Sequence, residues 1–147
     1  MNAPLSITSE TLHATTVARG GRAVVITGPS GAGKSDLALR LFDRGFTLVS
    51  DDRTVIRRDG DRLIASAPER IAGKLEVRGL GILDVETSGD VPVALLVELA
   101  RQIERMPADN RDKPILGVSI PLVRIDAMTA SASSKVALAL DRLGLRP

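Results

Sequence analysis

The stretch RAVVITGPSGAGKSDLALRLFDRG, residues 22–45, decides the fold. Its first six residues form a short apolar, β-branched run, which predicts a buried strand. A helix is predicted after the glycine-rich segment, ending near Gly45. In this predicted helix, four apolar residues fall at near-helical spacing: Leu37, Leu39, Leu41 and Phe42. The predicted order is therefore strand, glycine-rich loop, helix.

The loop GPSGAGKS matches the phosphate-binding pattern G-x-x-x-x-G-K-[ST]. Glycines allow positive φ and a close approach of the backbone to a phosphate, and successive N–H groups at a helix N-terminus bind anions. Lys34 is expected to reach the β- and γ-phosphates, and the Ser35 hydroxyl to bind Mg²⁺. The loop therefore predicts that the protein holds ATP or a close relative, through Gly28, Pro29, Ser30, Gly31, Ala32, Gly33, Lys34 and Ser35.

Two carboxylates end the next apolar run, FTLVSDD, at Asp51 and Asp52. Open α/β sheets place functional groups at such strand ends. One aspartate is expected to hold Mg²⁺ through water, and the other to act as a general base toward a hydroxyl. Adjacent acids repel one another unless a cation lies nearby. The alternative is that one of the two merely caps a turn.

The rest of the chain predicts further strands and a closing helix. RTVIRRDGDRLIAS is typical of a hairpin around Asp59-Gly60, and KLEVRGLGILDV of strand, loop and strand. VPVALLVELA and PILGVSIPLVRID each predict one strand. SASSKVALALDRLGL predicts a helix with a serine N-cap. Many strands and few helices around a P-loop indicate an α/β protein, a single domain with a mixed sheet.

Three other polar residues leave alternatives open. His13 is the only histidine, and a lone histidine is more often structural than catalytic. Glu76 and Arg78 flank one residue, so on a strand they share a face. That face is either a Mg²⁺ and phosphate site or an ordinary surface ion pair.

Composition excludes several classes of protein. The chain has 147 residues, 44% hydrophobic and 26% charged, as in a soluble globular domain. It has no cysteine for disulfides or a thiolate metal site. Acidic and basic residues are interspersed, and the sequence has neither basic runs nor aromatic stacking residues. We therefore expect no nucleic-acid binding. A polar N-terminus and the lack of a long apolar stretch predict a cytoplasmic protein that does not enter a membrane.

From about His13 to Val85 the chain resembles the catalytic domain of the HPr kinase/phosphorylase family. A histidine precedes the P-loop, then come GPSGAGKSDLALRLFDRGFTLVSDD and APERIAGKLEVRGLGILDV. LEVRGLGILDV is more specific than the P-loop itself. The resemblance implies a P-loop fold similar to the nucleotide-binding domain of phosphoenolpyruvate carboxykinase. It also implies ATP-dependent phosphorylation of a seryl side chain on HPr, a phosphocarrier protein, and a homo-oligomer, the family's hexamer.

The resemblance assigns roles by position. Asp52 is the base that accepts the serine proton, Lys34 stabilises the transferred phosphoryl group, and Ser35 with Glu76 binds Mg²⁺. His13 falls on the histidine of the family's pattern. Arg105, in ERMP, matches an arginine of the family's DRLG stretch.

The chain departs from the family in two ways. It resembles an abbreviated form without the N-terminal domain. IPLVRIDAMTAS stands in place of the PGRN loop linked to dephosphorylation, which favours the kinase direction over phosphorolysis. Two rival functions remain open: an ATP-binding regulatory module that controls a signalling partner without phosphoryl transfer, and a kinase of small molecules.

Overall fold

The computed structural model describes residues 8–106 and 111–146. Within these residues the chain forms eleven strands, two α-helices and one short 3₁₀ turn at Glu69–Ile71. The strands are β1 (Ser9–Leu12), β2 (Ala14–Arg19), β3 (Arg22–Thr27), β4 (Thr47–Ser50), β5 (Thr54–Asp59), β6 (Arg62–Ser66), β7 (Lys74–Val77), β8 (Gly81–Asp84), β9 (Val91–Leu99), β10 (Asp112–Ile115) and β11 (Val118–Ile125). The helices are α1 (Lys34–Phe42) and α2 (Ala132–Leu143).

Nine strands form one mixed sheet. Its main path runs β1-β5-β6-β9-β3-β2-β4, and β11 pairs with both β9 and β10. The centre is parallel, because β3 and β11 both run parallel to β9. The other pairings are antiparallel, and β7 and β8 form a separate two-stranded hairpin. The predicted mixed sheet around a P-loop is confirmed.

One face of the sheet is covered by both helices. Leu37 and Leu41 of α1 and Val136 and Leu140 of α2 are fully buried there, against alternate residues of β3 and β9. Leu39 is 38% exposed, since at 100° per residue it turns away from that stripe. The helices thus fix the loop that joins β3 to α1.

The sheet curls, and its other face closes on a second core. Ile56 and Leu63 of the β5–β6 hairpin pack there with Val25 of β3 and Ile120 of β11. Small residues of β2 and β3 line this cluster, so the curled strands approach closely. Two apolar layers therefore enclose the central parallel strands.

Several element predictions hold and two are wrong. The strand, loop, helix order at residues 22–42, the hairpin at Asp59-Gly60 and the β7–β8 pair are confirmed. The single strand predicted in PILGVSIPLVRID is two strands, joined by a two-residue turn at positions 116 and 117. Ser131 precedes α2, but its side chain makes no capping hydrogen bond. In residues 8–106 and 111–146, neither helix has the length and hydropathy to cross a bilayer.

Candidate active site

The phosphate loop joins the central strand β3 to α1. Gly31 and Gly33 have φ of 81° and 102°, in the left-handed region where a side chain is strained. At Gly28 a Cβ atom would lie 3.1 Å from Cβ of Leu99. The Ala32 amide donates to the carbonyl of Pro29 at 3.0 Å, which closes the turn. The loop therefore has the tight backbone that its glycine spacing predicts.

Lys34 is folded back over this loop. Its Nζ donates to the carbonyl oxygen of Gly28 at 2.8 Å and to that of Pro29 at 3.2 Å, and the residue is only 6% exposed. Among the described residues no carboxylate pairs with this amine. A buried cation held only by neutral carbonyls keeps its charge available for an anion.

The Asp51 carboxylate lies against the start of α1. One of its oxygens, Oδ1, accepts from the Ser35 hydroxyl at 2.6 Å and from the Thr15 hydroxyl at 3.0 Å. The other, Oδ2, accepts from the Glu76 backbone N–H at 3.1 Å. Asp51 is 8% exposed, so hydrogen bonds from three elements compensate its burial.

Asp52 points the other way, toward solvent and His13. Its Oδ1 lies 2.6 Å from Nε2 of His13, and the two side chains are 60% and 50% exposed. The backbone of Asp52 has φ of 66°, which is uncommon for a residue other than glycine. The adjacent acids thus occupy separate environments: hydrogen bonds hold Asp51 in the interior, and Asp52 faces solvent beside His13.

Of the two remaining candidates, Glu76 contacts this cluster through its backbone, and Arg105 makes no bond to it. The backbone of Glu76 contacts Asp51, while its exposed carboxylate makes neither a hydrogen bond nor an ion pair to any residue that the structure describes. Glu76 and Arg78 form no ion pair in that part of the chain, so the surface-pair alternative lacks support. Arg105 is exposed after β9, without a hydrogen bond to the described residues, and is not brought into the cluster.

The cluster suits a cation shared with phosphates. Within the described ranges, no three His, Asp or Glu side chains group as a metal cage. Mg²⁺ is commonly held by one or two carboxylates, waters and substrate phosphates. The hydroxyl of Ser35 and the carboxylate of Asp51 are hard oxygen donors in contact, which fits that mode.

Thr15 is a member of the site that the sequence prediction missed. β2 follows His13 directly and carries two threonines that are fully buried. Buried hydroxyls need partners. The β-branched run ATTVA was therefore the available signal, both for a strand and for polar groups pointing into a site.

Three comparisons with known proteins point to one family. The family model "HPr Serine kinase C-terminal domain" matches residues 6–140, further along the chain than the resemblance in the sequence extended. The HPr kinase/phosphorylase of Chloroherpeton thalassium is 41% identical over 118 residues, covering 71% of this chain and 35% of that protein. The corresponding protein of Chlorobium limicola is 39% identical, covering 71% and 36%. The chain thus spans about a third of the length of these relatives.

A solved structure shares the fold. The Hpr(Ser) kinase/phosphatase from Coxiella burnetii superposes with a TM-score of 0.78 at 29% identity, covering 90% of this chain and 94% of that one. Sequence family and fold therefore lead to one conclusion: the chain belongs to the HPr serine kinase C-terminal domain family.

Proposed function

We propose that the protein is an ATP-dependent kinase that phosphorylates a serine on an HPr-type phosphocarrier protein. The observation that carries this proposal is the pair of contacts at the end of β4. Asp51 is bonded to the P-loop serine, and Asp52, the next residue, presents an exposed carboxylate bonded to His13. A carboxylate base therefore lies beside the phosphate loop and is open to an incoming protein.

The reaction is a displacement at the γ-phosphorus of ATP. The serine oxygen of the acceptor attacks phosphorus, the bond to the bridging oxygen breaks, and ADP leaves. Asp52 takes the serine proton through a carboxylate oxygen. His13 bonds Oδ1 of that carboxylate and holds its orientation. Positioning and charge neutralisation supply most of the catalysis in such transfers.

The remaining residues bind the phosphates. The Lys34 amine exchanges its two carbonyl partners for phosphate oxygens, and the loop N–H groups bind the same anion. Bound Mg²⁺ neutralises charge on the phosphate oxygens. Ser35, Asp51 and Glu76 would hold it, since the backbone N–H of Glu76 already bonds the Asp51 carboxylate. Arg105 is proposed as a further catalytic residue on its match to the family's arginine alone.

The proposed direction is phosphorylation rather than phosphorolysis. IPLVRIDAMTAS forms most of β11 and the turn after it. That turn is tied to α1, because the Arg40 guanidinium donates to the carbonyls of Ala127 at 2.6 Å and Thr129 at 3.3 Å. In this chain the turn after β11 thus packs against α1 and is hydrogen-bonded to it.

The test uses purified protein, Mg²⁺, γ-labelled ATP and HPr-type proteins of the same organism. We expect label on one seryl side chain, located by mass spectrometry of the acceptor. Serine-to-alanine substitution at that position is the matched control. ATP binding without transfer to any such acceptor would instead support the regulatory module. Hydrolysis stimulated by a metabolite would support the small-molecule kinase.

The cellular location and the oligomeric state are proposals as well. We propose that the protein works in the cytoplasm as a homo-oligomer, the hexamer implied by family resemblance. Light scattering on purified protein tests the assembly. A mass of six chains is expected, and a monomer at micromolar concentration contradicts it.

A further inference from the structure

One hydroxyl contacts both acidic residues at the end of β4. Thr15 Oγ1 donates to Oδ1 of Asp51 at 3.0 Å and accepts from the backbone N–H of Asp52 at 3.1 Å. Thr15 is fully buried in β2. A hydroxyl has one proton to donate and lone pairs to accept, so both bonds form at once. No other side chain of the described residues bonds to both aspartates.

The bond to Asp52 holds a residue whose backbone is in the sparsely populated left-handed region. Asp52 has φ of 66°, and its amide is the group that Thr15 holds. Because that torsion sets the direction of the Asp52 side chain, it also sets its approach to His13. A residue in a sparsely populated conformation persists only when its surroundings fix it.

The bond to Asp51 matters most when a cation is bound. Oδ1 of Asp51 has two hydroxyl donors, Ser35 and Thr15. If Ser35 turns its oxygen toward Mg²⁺, Thr15 remains as the side-chain donor to that oxygen. Thr15 would therefore keep the carboxylate in place when a nucleotide and its cation are bound.

Thr16 offers a comparison on the opposite face of the same strand. It is also fully buried, and its Oγ1 lies 2.9 Å from Oγ1 of Thr54. Thr54 in turn donates to the carbonyl of Ala14 at 2.9 Å. Thr16 is thus a buried threonine with a satisfied hydroxyl and no bond to either aspartate.

We infer that Thr15 is a positioning residue of the phosphoryl-transfer site, whose single hydroxyl orients the metal-side carboxylate of Asp51 and the base Asp52 together. This rests on the proposed function for the roles of the two acids. It goes beyond that function because Thr15 itself contacts neither phosphate nor acceptor in the proposed reaction.

The experiment compares Thr15→Val, Thr15→Ser and Thr16→Val in the full chain. Valine keeps the shape and removes the hydroxyl, and serine keeps the hydroxyl. Three quantities are measured: steady-state kcat and KM for transfer, the Mg²⁺ concentration that half-saturates binding of a fluorescent ATP analogue, and the hydrogen-exchange rate of the Asp52 amide by NMR. Thermal unfolding checks that each variant folds.

For Thr15→Val we expect kcat to fall about 10- to 100-fold, as for loss of one hydrogen bond to a charged group, while KM for ATP changes little. The half-saturating Mg²⁺ concentration should rise and the Asp52 amide should exchange faster. Thr15→Ser should restore all three, and Thr16→Val should match the wild type in all three. If Thr15→Val does not fold, Thr15→Cys, with a weak donor of similar size, takes its place.

The result that overturns the inference is a Thr15→Val protein with the turnover and Mg²⁺ requirement of Thr16→Val. If the wild type binds nucleotide but transfers phosphate to no acceptor, the proposed function fails. The Mg²⁺ and amide-exchange measurements then decide the Thr15 inference: changes in both confined to Thr15→Val support it, and any other pattern overturns it.

Discussion

Two neighbouring aspartates, Asp51 and Asp52, lie in different surroundings, and we propose different chemical roles for them on that ground. Asp51 is buried and accepts three hydrogen bonds, while the exposed carboxylate of Asp52 bonds, among the described residues, to His13 only. The left-handed backbone at Asp52 turns its side chain out of the pocket that Asp51 fills. The division of labour that we propose, with Asp51 on the metal side and Asp52 as the base, thus depends on one backbone torsion and one buried hydroxyl.

Substituting each aspartate by asparagine should separate stability from activity. Asp51→Asn replaces one acceptor oxygen by an NH₂ group facing hydroxyl or amide donors, so the free energy of unfolding should drop by about 1–3 kcal/mol. Asp52→Asn is exposed, and asparagine tolerates the left-handed region, so stability should change by less than about 0.5 kcal/mol. Urea unfolding measures both. Equal losses for the two variants would contradict the assignment.

Local sequence patterns locate these residues but do not divide their roles, which only the family resemblance assigned. The P-loop motif and the apolar strand end together predict one site that contains Gly33, Lys34 and the two aspartates. Which aspartate faces the loop depends on Thr15 and Glu76, distant in sequence and joined only by folding. The roles of all these side chains remain predictions, and Arg105 makes no hydrogen bond or ion pair to the described residues.

At the scale of elements, the β3–loop–α1 unit depends on glycines with positive φ. Leu37 N–H donates to the carbonyl of Gly33 at 2.9 Å, so the helix begins directly on that left-handed residue. The loop N–H groups and the helix N-terminus then face the same point. An anion there is stabilised by both.

Gly33→Ala should therefore reduce ATP binding as well as stability. A side chain at φ of 102° costs about 1–2 kcal/mol, and its Cβ would touch Cβ of Ala127 at 3.4 Å. Gly21→Ala is the matched control: its φ of 73° is also positive, but its Cβ would meet no atom within 4 Å. Calorimetric titration with an ATP analogue should show loss of affinity in Gly33→Ala alone. Similar affinity in both variants would refute the role of loop geometry.

The elements that sequence patterns missed have physical reasons. β10 and β11 were predicted as one strand because the turn between them contains Leu116, a residue with no turn preference, at φ of 49°. Gly117, at φ of 79°, was the weaker signal. β1 and β2 were missed because neither strand alternates: β1 is almost wholly exposed, and β2 is buried on both faces although it carries two threonines. The strongly apolar β3 and β9 were predicted from their runs alone.

At the scale of the whole molecule, the mixed sheet brings the phosphate loop, His13 and the two aspartates together at one end. β3 and β9 run parallel through the centre, so their C-terminal ends meet at the loop that follows β3. β4 runs antiparallel to β2, so the start of β2 carries His13 to the end of β4, where Asp51 and Asp52 lie. This long-range pairing could not be deduced from local patterns.

The helix layer should carry a large part of the stability. Leu140→Ala removes a fully buried side chain of α2 and should lower the free energy of unfolding by about 2–5 kcal/mol. Leu138→Ala, two residues away and 55% exposed, is the control and should cost less than about 1 kcal/mol. Thermal denaturation followed by circular dichroism measures both. A comparable cost at Leu138 would mean that α2 packs differently.

The most direct test of the central claim is the rate of phosphoryl transfer by Asp52→Asn, measured beside its affinity for ATP. In a single-turnover assay with an HPr-type acceptor, the variant should bind ATP as tightly as the wild type and transfer at most about one part in 10² to 10⁴ of its rate, the range attributed to a positioned base. Full transfer by Asp52→Asn would contradict the account, because no base at the end of β4 would then be needed.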